Sequence, residues 1–195
     1  MDCKKWFLEE KNETDLGAVT IGQLVKNAGK KKLWSDRTAE VVDTVVIHYM
    51  SAFTIRPDDP YNSKTIINIF CDYGVSSHFF IDRTGQCHQL VPEEKKAWHS
   101  GGSIMPEPDN RKNVNDFSVG IELLATETSG FTSQQYDTLI QLCRKIERHF
   151  GKEMIYVGHE QIAGQRAVKL GLRRDGKIDP GPLFDWKYFR RQLHE

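Results

Sequence analysis

Two seven-residue stretches restrict the possible folds of this chain more than anything else in it. Residues 41–47 (VVDTVVI) and 118–124 (SVGIELL) are strand-length and rich in β-branched or aliphatic side chains. Each is too short for a helix and apolar enough to read as a buried strand. Buried strands need covering layers, and the chain supplies helices between them. Residues 63–73 read as a helix capped by Ser63, with Ile66, Ile67, Phe70 and Tyr73 as its apolar stripe and Gly74 as its stop. Residues 132–150 form the clearest helix. Thr132 and Gln135 have capping-box spacing, Tyr136, Leu139, Ile140, Cys143 and Ile146 share one face, and Gly151 follows.

Residues 78–82 and 86–91, separated by Arg83-Thr84-Gly85, predict a hairpin. Residues 154–157 predict a short strand leading to Gly158-His159, and Asp185 predicts the cap of a last helix carrying Trp186, Phe189 and Leu193. Alternating strands and helices point to an α/β fold: one domain with a central mixed β-sheet flanked by helices. The total of 195 residues suits one domain and is marginal for two. Residues 1–40 are less periodic and are expected to be an N-terminal extension packed on a domain spanning 41–195.

Lys plus Arg and Asp plus Glu both number 27, so the formal net charge is zero and a strongly basic nucleic-acid binder is disfavoured. The Lys30-Lys31-Lys32 run reads as a solvated turn. No run of 18 apolar residues occurs, which predicts no membrane span. Cys3, Cys71, Cys87 and Cys143 have no paired spacing, so a disulfide framework is not expected and free thiols fit a reducing compartment. The N-terminus lacks the apolar core of a signal peptide. The expected location is the cytoplasm, the alternative being a periplasmic or exported protein whose leader has been removed.

Three ligand-type side chains lie beside strand-like runs or a proline. They are His48 after VVDTVVI, His159 after IYVG, and Asp179 before Pro180. Strand ends project side chains into the cleft where α/β proteins place their sites. Two imidazoles and a carboxylate make a catalytic zinc set with a fourth position open; the bland alternative is a pair of hydrogen-bonded surface histidines. Glu122 lies inside SVGIELL, where an unpaired carboxylate is costly to bury. A partner, a metal-bound water or a raised pKa would account for it, as would a solvated strand face shared with Ser118 and Gly120. Lys177 lies two residues before Asp179, and Pro180 favours an extended backbone there, so both side chains point the same way. Its ammonium could stabilise a developing oxyanion, or be a surface lysine in a turn. His99, after an aromatic and before a glycine pair, could line a substrate cleft. His78, His88, Cys87 and Cys71 match no metal-finger spacing and read as core. Ser51, Ser76 and Ser77 lack a nucleophile elbow.

Taken in order, VVIHYMSA, YGVSSHFFIDRTGQCHQLVPEEKKAWHSG, NDFSVGIELLAT, FTSQQYDTLIQLC, VGHEQIAG and KIDPGPLFDW resemble the zinc-dependent N-acetylmuramoyl-L-alanine amidase family. That family includes muropeptide-recycling amidases, phage lysozyme-type amidases and peptidoglycan recognition proteins. The resemblance covers about three-quarters of the chain. It implies zinc on His48, His159 and Asp179, Glu122 and Lys177 beside the reacting carbonyl, and Trp98, His99 and Asn115 holding substrate. The implied partners are peptidoglycan fragments, and no organic cofactor is implied. Aspartate as third ligand resembles the recycling branch. Ser77 stands where the phage branch has a catalytic tyrosine, which leaves proton handling to Glu122. Residues 166–176 are an insertion relative to the recycling enzyme and carry Lys169, Arg173 and Arg174, as anchors for stem-peptide carboxylates or as a solvated loop. The expected reaction is cleavage of the amide between the lactyl group of N-acetylmuramic acid and L-alanine. The alternatives are a non-catalytic peptidoglycan sensor and a metallopeptidase cutting within the stem peptide.

Overall fold

The computed structural model describes residues 3–5 and 33–195. A six-stranded mixed sheet forms the centre, in the order β1-β5-β4-β7-β3-β8. Its strands are β1 (Lys4–Lys5), β3 (Thr44–Met50), β4 (Phe79–Ile81), β5 (Cys87–Gln89), β7 (Ser118–Leu124) and β8 (Ile155–Gly158). The two short strands β2 (Trp34–Asp36) and β6 (Lys95–Ala97) pair antiparallel in a second sheet. The helices are α1 (Ser63–Tyr73), α2 (Ser133–Phe150), α3 (His159–Ala163), α4 (Gln165–Lys169) and α5 (Trp186–His194).

β3 runs parallel to both β7 and β8, and β7 is also parallel to β4. This places the two most apolar stretches of the chain side by side in the middle of the sheet, where both faces need cover. Alternation then sorts their side chains. Val45, Ile47, Val119, Ile121 and Leu123 pack against Leu139, Cys143 and Ile146 of α2 and Phe189 and Leu193 of α5. A fully buried aliphatic side chain such as Leu139 contributes about 1.5–3 kcal/mol relative to exposure. On the opposite face Phe80 meets Ile66, Ile67 and Phe70 of α1, while Val46 meets Met105, Val114 and Ile162. His48, Gly120 and Glu122 also belong to this second face, and β3 pairs His48 opposite Glu122.

The predicted capping box of α2 is present: Thr132 accepts from Gln135 N, and Gln135 Oε1 accepts from Thr132 N. Asp185 caps α5 by accepting from Tyr188 N. The β4–β5 hairpin forms as expected. Four expectations need correction. β3 begins at Thr44 rather than Val41, because the ladder with β7 starts at Thr44, so His48 lies within the strand. Asn62, not Ser63, caps α1, since its amide oxygen accepts from Thr65 N at 3.0 Å. Tyr73 is 75% exposed, and Cys71 takes the interior position; the last turn of α1 overhangs a cleft that its ring helps to line. Cys3 and Cys87 are disulfide-bonded across 84 residues, which linear spacing could not reveal, whereas Cys71 and Cys143 are free and buried. The free-thiol argument for a reducing compartment therefore fails for two of the four cysteines.

Most of the expected N-terminal extension, including Lys30 to Lys32, lies outside the described residues. Among the described residues no helix is long and apolar enough to cross a membrane.

Candidate metal centre

Three elements bring His48, His159 and Asp179 together. His48 comes from the middle of β3, His159 opens α3 directly after β8, and Asp179 follows the long return from α4. Asp179 O accepts from Glu160 N at 2.9 Å, which ties the return segment to the start of α3. One potential ligand atom from each residue lies within 4.8 Å of the other two, and among the described residues no other group of His, Cys, Asp and Glu does this. His48 Nδ1 and His159 Nδ1 stand 3.2 and 3.1 Å from the same oxygen, Asp179 Oδ2. Both imidazoles are buried.

The partners of the outer ring nitrogens favour a proton on Nε2 of each ring. Ser118 Oγ donates to Val114 O at 2.6 Å, so its hydroxyl proton is spent and it can only accept from His99 Nε2 at 3.2 Å. Burial, the nearby rings of His48, His78 and His159, and the Arg37 charge together hold His99 well below its ordinary pKa. A neutral His99 protonated on Nε2 has a bare Nδ1 with one lone pair, for which Ser100 Oγ at 3.0 Å and His48 Nε2 at 3.1 Å compete as donors. His48 is held down to about 4 by burial and by His159, against the opposing pull of Asp179. With its proton on Nε2, its Nδ1 is bare. His159 Nε2 points at the carbonyl of Ser100, 3.3 Å away, which can only accept. Its Nδ1 faces Asp179 Oδ2.

Both Nδ1 atoms thus face one carboxylate oxygen. Burial raises the Asp179 pKa, and it falls below the usual carboxylate range where His159 and His48 present protons to it or a cation sits between them. Three ligand-type atoms at this spacing fit a metal ion. Each imidazole also donates its other N–H to a fixed acceptor, as metal-ligating histidines do.

Glu122 strengthens that fit. Its side chain is buried on the same sheet face, and Oε2 has no hydrogen-bond partner. Burial pushes its carboxyl well above the usual range, as does the Asp179 charge, while Lys177 works the other way. An uncompensated buried acid beside an ionised aspartate is costly unless a cation joins them. Glu122, Lys177, Trp98, His99 and Asn115 all line one cleft of about 480 Å³ together with the three candidate ligands.

Within it, Asn115 Oδ1 accepts from the backbone N–H of His99 and Ser100, at 3.2 and 2.8 Å. Asn115 thus pins the loop that positions His99. His99 itself reaches His48, beyond the cleft-lining place predicted for it. Arg37 was not singled out in the sequence. Its guanidinium donates to the carbonyls of Glu93, Asn115, Asp116 and Ser118. Burial lowers its pKa to about 10, despite Asp116 and Glu94. All four acceptors are backbone atoms more than fifty residues away, so no local pattern marks it.

The remaining candidates have structural roles. His78 is fully buried; its Nδ1 accepts from Gly120 N, its Nε2 donates to Lys95 O, and burial, with Arg37 adding to it, lowers its pKa to about 3. His88 stacks on Phe80. Ser76 Oγ donates to Leu33 O and Ser77 Oγ to Gly120 O, which leaves neither poised as a nucleophile. Ser51 Oγ accepts from Phe53 N in an exposed turn.

Fold and site together define an α/β protein with a buried His-His-Asp cluster fit for a metal ion and a buried glutamate in one cleft. The chain belongs to the N-acetylmuramoyl-L-alanine amidase family, whose sequence profile matches residues 38–182. It is 40% identical over 116 residues to the 1,6-anhydro-N-acetylmuramyl-L-alanine amidase AmpD of Escherichia coli, covering 60% of this chain and 57% of that one. It is 31% identical over 171 residues to the N-acetylmuramoyl-L-alanine amidase AmiD of the same organism, covering 77% and 53%. The chain thus spans little more than half the length of these relatives. Among solved structures, a selenomethionine derivative of AmpD superposes with a TM-score of 0.62 at 29% identity, covering 83% of this chain and 90% of that one. E. coli AmiD in complex with the substrate anhydro-N-acetylmuramic acid-L-Ala-D-gamma-Glu-L-Lys gives 0.59 at 29% identity, covering 80% and 60%.

Proposed function

We propose that the protein is a zinc-dependent N-acetylmuramoyl-L-alanine amidase acting on muropeptides. The observation that carries this reading is the convergence of two buried imidazole Nδ1 atoms on one oxygen of Asp179. Two imidazoles and a carboxylate suit zinc and leave a fourth position open. When bound, the ion supplies Lewis acidity toward the lactyl carbonyl and toward water. The chain's own residues do the rest. His48, His159 and Asp179 hold the ion. His99 keeps His48 in the tautomer that turns Nδ1 toward the site. Glu122 accepts the proton of the attacking water and returns it to the departing alanine nitrogen. Lys177 Nζ stabilises the negative charge that develops on the carbonyl oxygen. Trp98 forms an apolar wall of the cleft.

Mass spectrometry of muropeptides incubated with the zinc-loaded protein tests the reading. Release of peptides beginning with L-alanine supports it. Fragments cut within the stem would make it a metallopeptidase, and binding without any product would make it a sensor.

A further inference from the structure

The insertion at 166–176 is not a loosely solvated loop. Leu172 N bonds to Ala167 O at 3.0 Å, Gly171 N to Val168 O at 2.9 Å and Lys177 N to Ala163 O at 3.0 Å, so the segment closes on itself and returns to its own stem. Arg166 donates to Met105 O at 2.7 Å and fastens it to the loop opposite. It also packs directly on Gly101-Gly102. A Cβ on Gly102 would lie 1.9 Å from the Leu172 carbonyl oxygen, so the glycine that follows the cleft loop is required by this contact.

That seating brings Arg173 into the wall of the cleft, whereas Arg174 is exposed and does not line it. Arg173 Nε donates to Asp175 O at 2.6 Å, and Nη1 reaches the carbonyls of Ser100 and Gly102 at 3.4 and 3.5 Å. Ser100 O is also the acceptor of His159 Nε2. The guanidinium and a candidate metal ligand therefore share one atom, which fixes the positive charge close to the reacting bond. All its partners are neutral carbonyls. Arg111, by contrast, is paired with Asp43 and Asp109, and Arg166 with Glu107. Among the described residues no carboxylate pairs with Arg173.

We infer that Arg173 is a specificity-determining residue that binds the free α-carboxylate of a γ-linked glutamate in the stem peptide, a proposal that rests on the amidase reading. Distance from the scissile bond selects this group over the lysine carboxylate one residue farther out. The lactyl carboxyl is consumed in the amide being cut, so the sugar end offers no anion of this kind. In L-Ala-D-gamma-Glu-L-Lys, the peptide of the substrate bound to AmiD, the γ-linkage leaves the glutamate α-carboxylate free. That group is one residue beyond the scissile nitrogen, roughly 4–7 Å along the chain. A pre-oriented guanidinium matches a carboxylate in a bidentate, charge-assisted pair.

The test uses the zinc-loaded full chain and two substrates, N-acetylmuramoyl-L-Ala-D-γ-Glu-L-Lys and the same compound with the glutamate α-carboxyl as its carboxamide. The wild type is expected to favour the carboxylate in kcat/KM by roughly 10- to 100-fold. R173A should collapse that ratio toward one, mainly through KM. R173K, which keeps the charge but not the fork and guards against a folding failure, should retain part of it. R174A should leave the ratio alone. Equal losses on both substrates in R173A, or a wild type indifferent to the carboxamide, would overturn the proposal. A wild type that cuts neither substrate removes the amidase reading itself, and this inference with it.

Discussion

Replacing Gly120 by alanine should damage stability and metal affinity together, and the structure sets the scale. A Cβ at this position would lie 2.5 Å from His99 Cγ and 2.7 Å from its Cδ2 and Nδ1. Ordinary carbon contacts are about 3.5–4.0 Å, so the ring must retreat by roughly 1 Å or the strand must yield. The strand is poorly placed to do so. β7 is paired on both sides, by β3 and β4, and Gly120 itself accepts from His78 N and Ser77 Oγ while donating to His78 Nδ1. His99 therefore moves, and its bonds to Ser118 and His48 stretch beyond useful length. Overpacking of this kind costs about 1–3 kcal/mol; the constrained backbone puts it near the upper end. For a domain of this size that lowers Tm by on the order of 5–10 °C. Losing the partner that orients His48 should weaken zinc binding by roughly 10- to 100-fold. Thermal unfolding of the metal-free protein reads the first effect, and zinc competition against a chelating dye reads the second. A G120A protein with wild-type Tm and wild-type zinc affinity would refute both the packing argument and the proposed tautomer relay.

Further expectations bear on the site and on acid stability. The purified protein should carry about one zinc per chain; chelation should abolish turnover, and H48A should lose the metal by elemental analysis. Zinc retained by H48A would remove His48 from the ligand set. E122Q should keep zinc and fold while losing a factor of roughly 100 to 10,000 in turnover, read with metal content measured on the same sample. A zinc-loaded E122Q with wild-type rate would free Glu122 from proton transfer. Burial alone would raise the Asp82 pKa, but contacts from His88, Thr84 and Gln86 outweigh it and bring it down to about 2. The folded value lies below the unfolded value of about 3.9. Its stabilisation is therefore present above about pH 4 and fades as pH falls toward 2. In urea titrations the gap between wild type and D82N should be about 1–2 kcal/mol at neutral pH and close over that window; a gap constant with pH would contradict this.

Much of the fold and of the candidate site is legible in the sequence because it is written in short-range patterns. Apolar runs of strand length set β3 and β7, and a capping box spaced by three residues sets the start of α2. Residue chemistry offered His48, His159, Asp179, Glu122 and Lys177 only as candidates beside ordinary structural readings, the family resemblance joined them into one site, and all five line one cleft. An acid inside a buried strand is conspicuous wherever the chain folds. Contacts between distant segments are different. The choice of Asn62 over Ser63 as cap was a local ambiguity between two adequate capping residues. The Cys3–Cys87 pairing, the Arg37 clamp on four carbonyls and the separation of Arg173 from Arg174 were decided only in three dimensions.

The direction in which His48 points its bare nitrogen belongs to the same class. It depends on a run of hydrogen bonds from His48 through His99 and Ser118 to the Val114 carbonyl. A sequence specifies which side chains can ligate, because that is a property of each residue type. Which atom does so is set by partners the chain meets only once the strands are in register.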